Sequence, residues 1–152
     1  MDVSAKGSWR VTAIHHIAFA HPSGGGPTDD TLAAFGHRRT HTERGDGFLE
    51  RMYATPGGYL QTLEVTGPGT VQRFVERRGA ALHHLAFEVD DIDAALAALT
   101  QAGFQLIDDR ARRGGMATRI AFVHPSALGG LLLELVEASD GSASHAAEGR
   151  TL

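Results

Sequence analysis

The sequence predicts an α+β fold of two βαβββ modules, and three observations carry that expectation. The segment Ala13-Ile14-His15-His16-Ile17-Ala18-Phe19 recurs almost letter for letter as Ala81-Leu82-His83-His84-Leu85-Ala86-Phe87, sixty-eight positions later in a chain of 152 residues. A repeat present only twice is too few for a solenoid and fits two fused copies of one small module. The second half reads as a strand, a helix and then three strands. The first half reads in the same order with a poorer helix. Two such copies paired about a pseudo-twofold axis can bring His16 and His84 into one cleft, which is how a duplicated fold builds a metal site.

Residues 10 to 20 alternate as a strand, and Pro22-Ser23-Gly24-Gly25-Gly26-Pro27 then breaks regular structure. A short helix is expected from about Thr28 to Phe35, and a polar strand near His37 to Thr42. Phe48 to Ala54 and Tyr59 to Val65 are strand-like runs separated by the turn signal Thr55-Pro56-Gly57-Gly58. From Thr70, read as an N-cap, Val71, Phe74 and Val75 recur at helical spacing up to Gly79, giving a helix that links the modules. In the second module His83 to Val89 is a strand. Asp90 or Asp91 caps a helix whose Ile92, Ala95, Leu96, Leu99 and Ala102 share one face, and Gly103 ends it. Strands are expected at Phe104 to Ile107, Thr118 to Val123 and Leu131 to Glu137. Residues 138 to 152, rich in Ser, Ala, Gly and Glu, have the composition of a disordered tail. The organisation expected is one domain, with module 1 over about 10–66, the linking helix over 70–79 and module 2 over 81–137.

Composition narrows the functions open to the chain. Fourteen Lys and Arg against eighteen Asp and Glu, a net charge of −4 and a pI near 6.1 give no basic face for nucleic acid. The absence of cysteine removes disulfides, thiolate ligands and a thiol nucleophile together. No run approaches about eighteen consecutive apolar residues, and Met-Asp-Val-Ser-Ala-Lys-Gly lacks the apolar core of a signal peptide. A cytoplasmic protein without a membrane partner is expected.

Successive side chains of a strand point to opposite faces, so His15 and His16 cannot both line one cavity. His16 shares its face with Ala18 and Ala20, and His84 with Ala86. His15 and His83 share theirs with Ile17, Phe19, Leu85 and Phe87. Small residues leave room and large ones fill a core, so His16 and His84 are assigned to an open cleft. The large apolar face is assigned to packing against helices. A single strand histidine is ordinarily a hydrogen-bonded core residue, and the duplication is what favours ligation.

Glu134 sits in Leu131-Leu132-Leu133-Glu134-Leu135-Val136, apolar on both faces, where a carboxylate must be paired with an arginine or bound to a metal. The matching strand of the first module is Tyr59-Leu60-Gln61-Thr62-Leu63-Glu64-Val65, and the position equivalent to Glu134 is Gln61. It is either a ligand or a cavity-lining amide; Glu64 points the other way and is expected to be solvated. Two imidazoles, one carboxylate and one amide oxygen suit a divalent first-row metal with a position open to substrate. Such a centre polarises a carbonyl oxygen and stabilises an enolate. Glu50, mid-strand between Phe48 and Met52, is either a desolvated general base or a surface carboxylate paired with Arg51 or a cross-strand partner. Histidines 21, 37, 41, 124 and 145 are read as surface residues. The run Arg110, Arg112, Arg113 is a solvated loop or the contact for an anionic substrate, and Arg119 could point inward.

Through Phe74-Val75-Glu76-Arg77-Arg78-Gly79, Leu82-His83-His84-Leu85-Ala86, Val89-Asp90-Asp91-Ile92-Asp93-Ala94, Phe122-Val123-His124-Pro125 and Gly130-Leu131-Leu132-Leu133-Glu134-Leu135, the chain resembles the vicinal oxygen chelate superfamily. That group includes glyoxalase I, extradiol dioxygenases and bleomycin-resistance proteins, and within it the resemblance is greatest to the methylmalonyl-CoA epimerase family. It implies a cup-shaped, eight-stranded incomplete barrel holding one divalent ion, cobalt foremost, with manganese, nickel, zinc or iron as the others. The implied ligands are His16, Gln61, His84 and Glu134. Gly47 to Ala54 matches the segment carrying the family's catalytic glutamate, which falls on Glu50, and Glu134 is the second carboxylate of the proton-transfer pair. The implied substrate is an acyl-CoA or related thioester, and the implied assembly a homodimer. Arg113, Arg119 and Ser126 are the candidate substrate contacts, with Ser126 standing where epimerases commonly carry lysine. The Gly-rich stretch from Pro22 to Phe35 also departs from the family, keeping only Phe35-Gly36 of its usual helix. Glyoxalase chemistry, oxygen activation at a two-histidine one-carboxylate iron site, and drug sequestration are the competing readings.

Overall fold

A computed structural model describes residues 9–139. Its elements are β1 (Val11–His21), α1 (Asp29–Ala34), β2 (Arg38–Arg44), β3 (Phe48–Thr55), β4 (Gly58–Val65), α2 (Thr70–Arg78), β5 (Ala81–Val89), α3 (Ile92–Gln101), β6 (Arg112–Arg113), β7 (Arg119–Val123) and β8 (Leu132–Glu137). All eight strands form one mixed sheet in the order β2-β3-β4-β1-β5-β8-β7-β6, so the predicted α+β class is found. Among the described residues no helix is long and apolar enough to cross a membrane. The chain forms two compact units, one from His16 to His84 and the other from Leu85 onward together with the residues before His16. The tail proposed for residues 138–152 lies almost wholly outside the described residues.

In the unit from Leu85 onward, α3 forms as the sequence predicts. Asp91 is its N-cap, with Oδ1 accepting from the Ala94 N–H at 2.9 Å, and the Ile92 N–H donates to Glu137 Oε2 at 2.8 Å. Its buried face, Ile92, Ala95 and Leu96, packs on Val89, Ala121, Val123, Leu133 and Leu135. Each large side chain so buried contributes about 1.5–3 kcal/mol. The β7–β8 ladder pairs Val123 with Leu133 and Phe122 with Glu134. Because Leu133 and Leu135 face α3, the pleat turns Glu134 to the other side, where Val136 packs with Ala86 and Ile120.

The strand expected at Phe104 to Ile107 is not formed. Only an isolated bridge joins Leu106 to Val123, and the N–H groups of Ile107 and Asp108 both donate to the Phe122 carbonyl, at 2.9 and 3.1 Å. Two successive amides meeting one carbonyl break a ladder as a bulge does. The eighth strand is instead Arg112–Arg113, opposite Ile120 and Arg119.

In the unit from His16 to His84, β1 runs parallel to β4 with Ala18 opposite Gln61, and β3 runs antiparallel to it with Met52 opposite Gln61 and Glu50 opposite Leu63. Partners in a ladder share a face. His16, Ala18, Ala20, Gln61, Leu63, Met52 and Glu50 therefore lie on one side, and Ile17, Phe19, His21, Thr62, Glu64, Arg51 and Tyr53 on the other. Two expectations change here. The alanines do not leave open room: Ala18 and Ala20 are 0% and 1% exposed, because their small size admits Val71 of α2 against them and Leu63. On the opposite face Ile17 and Phe19 are each 40% exposed, since α1 has six residues and buries only Leu32. Thr70 opens α2 but does not cap it; Gly69 takes that position without a side-chain bond.

Below the Gly-rich segment lies a polar cavity of about 430 Å3 whose lining includes His21, Arg39, Arg51, Tyr53 and Glu64. Buried Tyr53 donates its hydroxyl to Asp29 Oδ1 at 2.8 Å, tying α1 to the sheet. Burial first, and then that carboxylate, push its pKa up to about 12. Glu64 is not solvated as expected. Arg51 Nη1 donates to its Oε2 at 2.6 Å and the Gly24 N–H to its Oε1 at 3.2 Å. The guanidinium of Arg51 holds the Glu64 carboxyl below the usual carboxylate range. A carboxylate with a depressed folded pKa contributes stability above its unfolded pKa, and that contribution fades as pH falls through the folded value. Glu64→Gln is therefore expected to cost about 1–2 kcal/mol at pH 7. Urea titration at descending pH should show the gap between variant and parent closing in the acid range; an equal gap at pH 7 and pH 3 would contradict it.

Candidate metal centre

The duplicated strands deliver their second histidines as buried donors. His16 and His84 are each 4% exposed. Their Nε2 atoms are 2.8 Å apart, with rings edge to face at 77° and centroids 5.0 Å apart. Gln61, 5% exposed, lies on the His16 face, and its Oε1 is buried with no hydrogen-bond partner among the described residues. Glu134 is also 5% exposed. His16 and His84 thus bring two imidazole donors together within one unit, and Glu134 is a buried carboxylate of the other.

Leaving the Gln61 oxygen unpaired costs about 1–3 kcal/mol, which a bound cation would offset. Two imidazole nitrogens and one amide oxygen suit a divalent first-row ion, and the orphaned oxygen is the observation that speaks for the fit.

His83 takes a part that face alternation did not suggest. Its Nδ1 lies 2.8 Å from His84 Nδ1, and its ring packs edge-on against Phe74 at 4.7 Å. A ligating imidazole commonly bonds an orienting partner through its second nitrogen, and here that partner is the neighbouring residue. Only the His-His doublet itself hints at this in the sequence. His15 is buried, at 8% exposure.

Glu50 is half-buried in the middle of β3. Gly47, immediately before the strand, has a φ of +79°, and a Cβ there would clash with the Pro68 carbonyl oxygen. Only glycine suits that approach. Arg51 pairs with Glu64 on the other face. His41, Glu43 and Glu50 gather their donor atoms within 4.8 Å.

The expectations for His21 and Arg119 are corrected, while His37, His41 and His124 are part-exposed. His21 is 4% exposed, so it is buried, and a Cβ on Gly26 would meet its ring. His41 is bonded to Glu43 at 3.0 Å. His37 approaches the Ala54 carbonyl at 3.3 Å, and His124 accepts from the Ser126 N–H at 3.1 Å at the start of a 3-10 turn; His145 lies outside the described residues. Arg119 does not point inward: it shares the α3 face with Ala121 and Val123 and bonds Asp93 at 2.9 Å and Glu137 at 3.1 Å, which raise its pKa. Arg113 is exposed on β6, and the Ser126 hydroxyl lies 2.9 Å from His124 Nδ1.

Removing His84 takes one of two imidazoles from the site. His84→Ala is expected to abolish tight binding of Co2+ or Zn2+ in calorimetric titration. His83→Ala keeps every ligand and loses the orienting contact, so a decrease of about 10–100-fold is expected. Equal losses in the two variants would show that the doublet, and not His84 alone, ligates.

Comparison with known proteins gives a consistent picture. Residues 15–122 match the family model described as the Glyoxalase/Bleomycin resistance protein/Dioxygenase superfamily. An uncharacterized protein of Bacillus subtilis strain 168, YqjC, is 38% identical over 79 residues, 51% of this chain and 56% of that protein, so the match spans little more than half of that relative. The ethylmalonyl-CoA/methylmalonyl-CoA epimerase of Cereibacter sphaeroides is 28% identical over 136 residues, covering 82% of this chain and 97% of its own. A solved methylmalonyl-CoA epimerase, in complex with methylmalonyl-CoA and ammonium, superposes with a TM-score of 0.75 at 33% identity, covering 86% of this chain and 97% of the other.

Proposed function

The chain belongs to the Glyoxalase/Bleomycin resistance protein/Dioxygenase superfamily, and from that premise we propose that it is a metal-dependent epimerase of 2-substituted acyl-CoA thioesters, acting on methylmalonyl-CoA or a relative. The observation that carries the reading is the facing pair of buried imidazoles, His16 and His84, with the unpaired Gln61 oxygen and the half-buried Glu50 on the His16 face. Similarity to methylmalonyl-CoA epimerases at about a third identity supports the choice within the superfamily.

His16, Gln61, His84 and Glu134 would hold the ion, which supplies Lewis-acid stabilisation of charge on a carbonyl oxygen. The rest falls to side chains. A Glu50 carboxylate oxygen accepts the proton from C2 as the C2–H bond breaks and its electron pair moves into the enolate. Glu134 returns a proton to C2 from the opposite side, which inverts the centre. Phe48 and Met52 flank Glu50 on its own face and limit its hydration. The same reading carries Co2+ as the first ion to test, before Mn2+, Ni2+, Zn2+ and Fe2+, a single domain, a homodimer and a cytoplasmic location.

In deuterated water the metal-loaded protein is expected to exchange the C2 hydrogen of methylmalonyl-CoA or ethylmalonyl-CoA, followed by mass spectrometry. Glu50→Gln should retain the ion and lose about 100-fold or more of the exchange, because the amide is nearly isosteric and cannot take the proton. Full exchange by that variant would remove Glu50 from the chemistry. No exchange of any acyl-CoA by the metal-loaded parent would overturn the epimerase reading and turn the test to glutathione hemithioacetals and oxygen-dependent reactions.

A further inference from the structure

The polar cavity beneath the Gly-rich segment contains a buried polar atom left without a partner. His21 lines this cavity and is 4% exposed. Its Nδ1 lies 2.9 Å from the Pro22 carbonyl oxygen, which can only accept, so Nδ1 carries a proton. Nε2 of the neutral ring is then a bare acceptor, and it is buried with no hydrogen-bond partner among the described residues. The space beside that nitrogen is kept by Gly26, where a Cβ would meet the ring at Nε2 first. His21, Glu64, Arg51 and Tyr53 lie on the opposite face of β1, β4 and β3 from His16, Gln61 and Glu50, so the cavity is separate from the donors of the candidate metal centre in this unit.

Charge and size narrow the kind of molecule that fits. The two guanidinium groups of the lining are each held by a carboxylate, Arg39 by Asp29 at 3.2 Å and Arg51 by Glu64 at 2.6 Å. Asp29 also accepts from Tyr53, and Glu64 from the Gly24 N–H. Asp30 lines the cavity too and has no ion pair among the described residues. Arg44 shares this face but sits opposite Leu49, at the other end of β2 from Arg39 and outside the lining. Two guanidinium groups against three carboxylates leave the lining with an excess of negative charge, and its unused buried atom is an acceptor. An occupant that carries positive charge and donates hydrogen bonds answers both. A metal ion does not, because among the described residues His21 belongs to no set of donors close enough to share one. A volume of about 430 Å3 is that of a pocket for an organic molecule.

We propose that this cavity is a binding site for a small organic ammonium ion, a primary amine on a short aliphatic chain. An N–H of the ammonium group donates to His21 Nε2, and Asp30 supplies the counter-charge. A primary amine is required, since a quaternary one has no N–H to give. The site stands apart from the epimerase reading and holds whether or not that reading does.

Butane-1,4-diamine, butane-1,4-diol and succinate share a four-carbon chain and differ in charge, which makes them the probes. In calorimetric titration of the full chain at neutral pH, the diamine is expected to bind with a Kd of about 1 mM and the other two about tenfold more weakly or worse. In nitrogen-15 NMR of the histidine-labelled chain, the diamine should move the His21 Nε2 resonance upfield, as a bare imidazole nitrogen moves on accepting a hydrogen bond. Asp30→Asn, an exposed change that leaves the fold alone, should weaken the diamine by about two- to fivefold. Gly26→Ala, which sets a methyl group against Nε2, should abolish the NMR shift. Arg39→Gln should leave the diamine bound at least as tightly, because it removes a cation and releases Asp29. Succinate binding more tightly than the diamine, and lost in Arg39→Gln, would overturn the proposal in favour of an anion site. Equal binding of diol and diamine, or an unchanged Kd in Asp30→Asn, would refute the part given to charge. No binding of any probe, with the Nε2 resonance unmoved, would show a cavity satisfied by water alone.

Discussion

Strand pleating is the constraint on which the rest of this structure depends. Successive residues of a strand face opposite sides of the sheet, and a shift of one residue would exchange them. On β8, Leu133 and Leu135 are held by α3, which leaves Glu134 no choice of side. On β4, the pairing of Ala18 with Gln61 and of Met52 with Gln61 puts the amide on the His16 face from both neighbours. The polar residues are thus positioned by the apolar residues beside them, and a cavity-forming change such as Leu135→Ala, which costs about 2–5 kcal/mol in a packed core, threatens the site through packing first.

The sequence made the donor strands legible because their information is local. The Ala-x-His-His-x-Ala-Phe repeat names two equivalent strands, and alternation selects His16 and His84, whose Nε2 atoms do meet at 2.8 Å, though both are buried where an open cleft was expected. The helical spacing of Ile92, Ala95 and Leu96 likewise places α3. What the sequence did not disclose depends on partners far along the chain. The burial of Ala18 and Ala20 needs α2, the exposure of Ile17 and Phe19 follows from how short α1 is, and the ion pair of Glu64 needs Arg51 to point the same way. Glu43 escaped notice because only the register of β2 against β3, with its shift between Arg39 and His41, brings it opposite Glu50. Phe104 to Ile107 reads as a strand by composition and fails as one because its amides crowd one carbonyl.

The two units also differ in how they reach stability. From Leu85 onward, a helix of ten residues covers an aliphatic face in the ordinary way. From His16 to His84, much of the outer face is polar. Tyr53 with Asp29, and Arg51 with Glu64, replace apolar contacts that a longer first helix would supply. Such pairs contribute less per residue than aliphatic burial and depend on pH, so this unit is expected to be the more acid-sensitive of the two.

The histidine doublet joins the donor set to its surroundings through tautomers. His84 faces His16 with Nε2 and His83 with Nδ1, each at 2.8 Å. When His84 Nε2 carries the proton it donates to His16, its Nδ1 is bare, and His83 Nδ1 must donate. For His84 Nε2 to ligate, it must be bare; its proton then sits on Nδ1, and His83 Nδ1 must accept. Ligation therefore reverses the polarity of the contact between the neighbouring rings without moving a heavy atom. A side chain able only to donate at position 83 would favour the first arrangement, and one able only to accept would favour the second. Histidine serves both, which gives a physical reason for the doublet that a single buried ligand would not require.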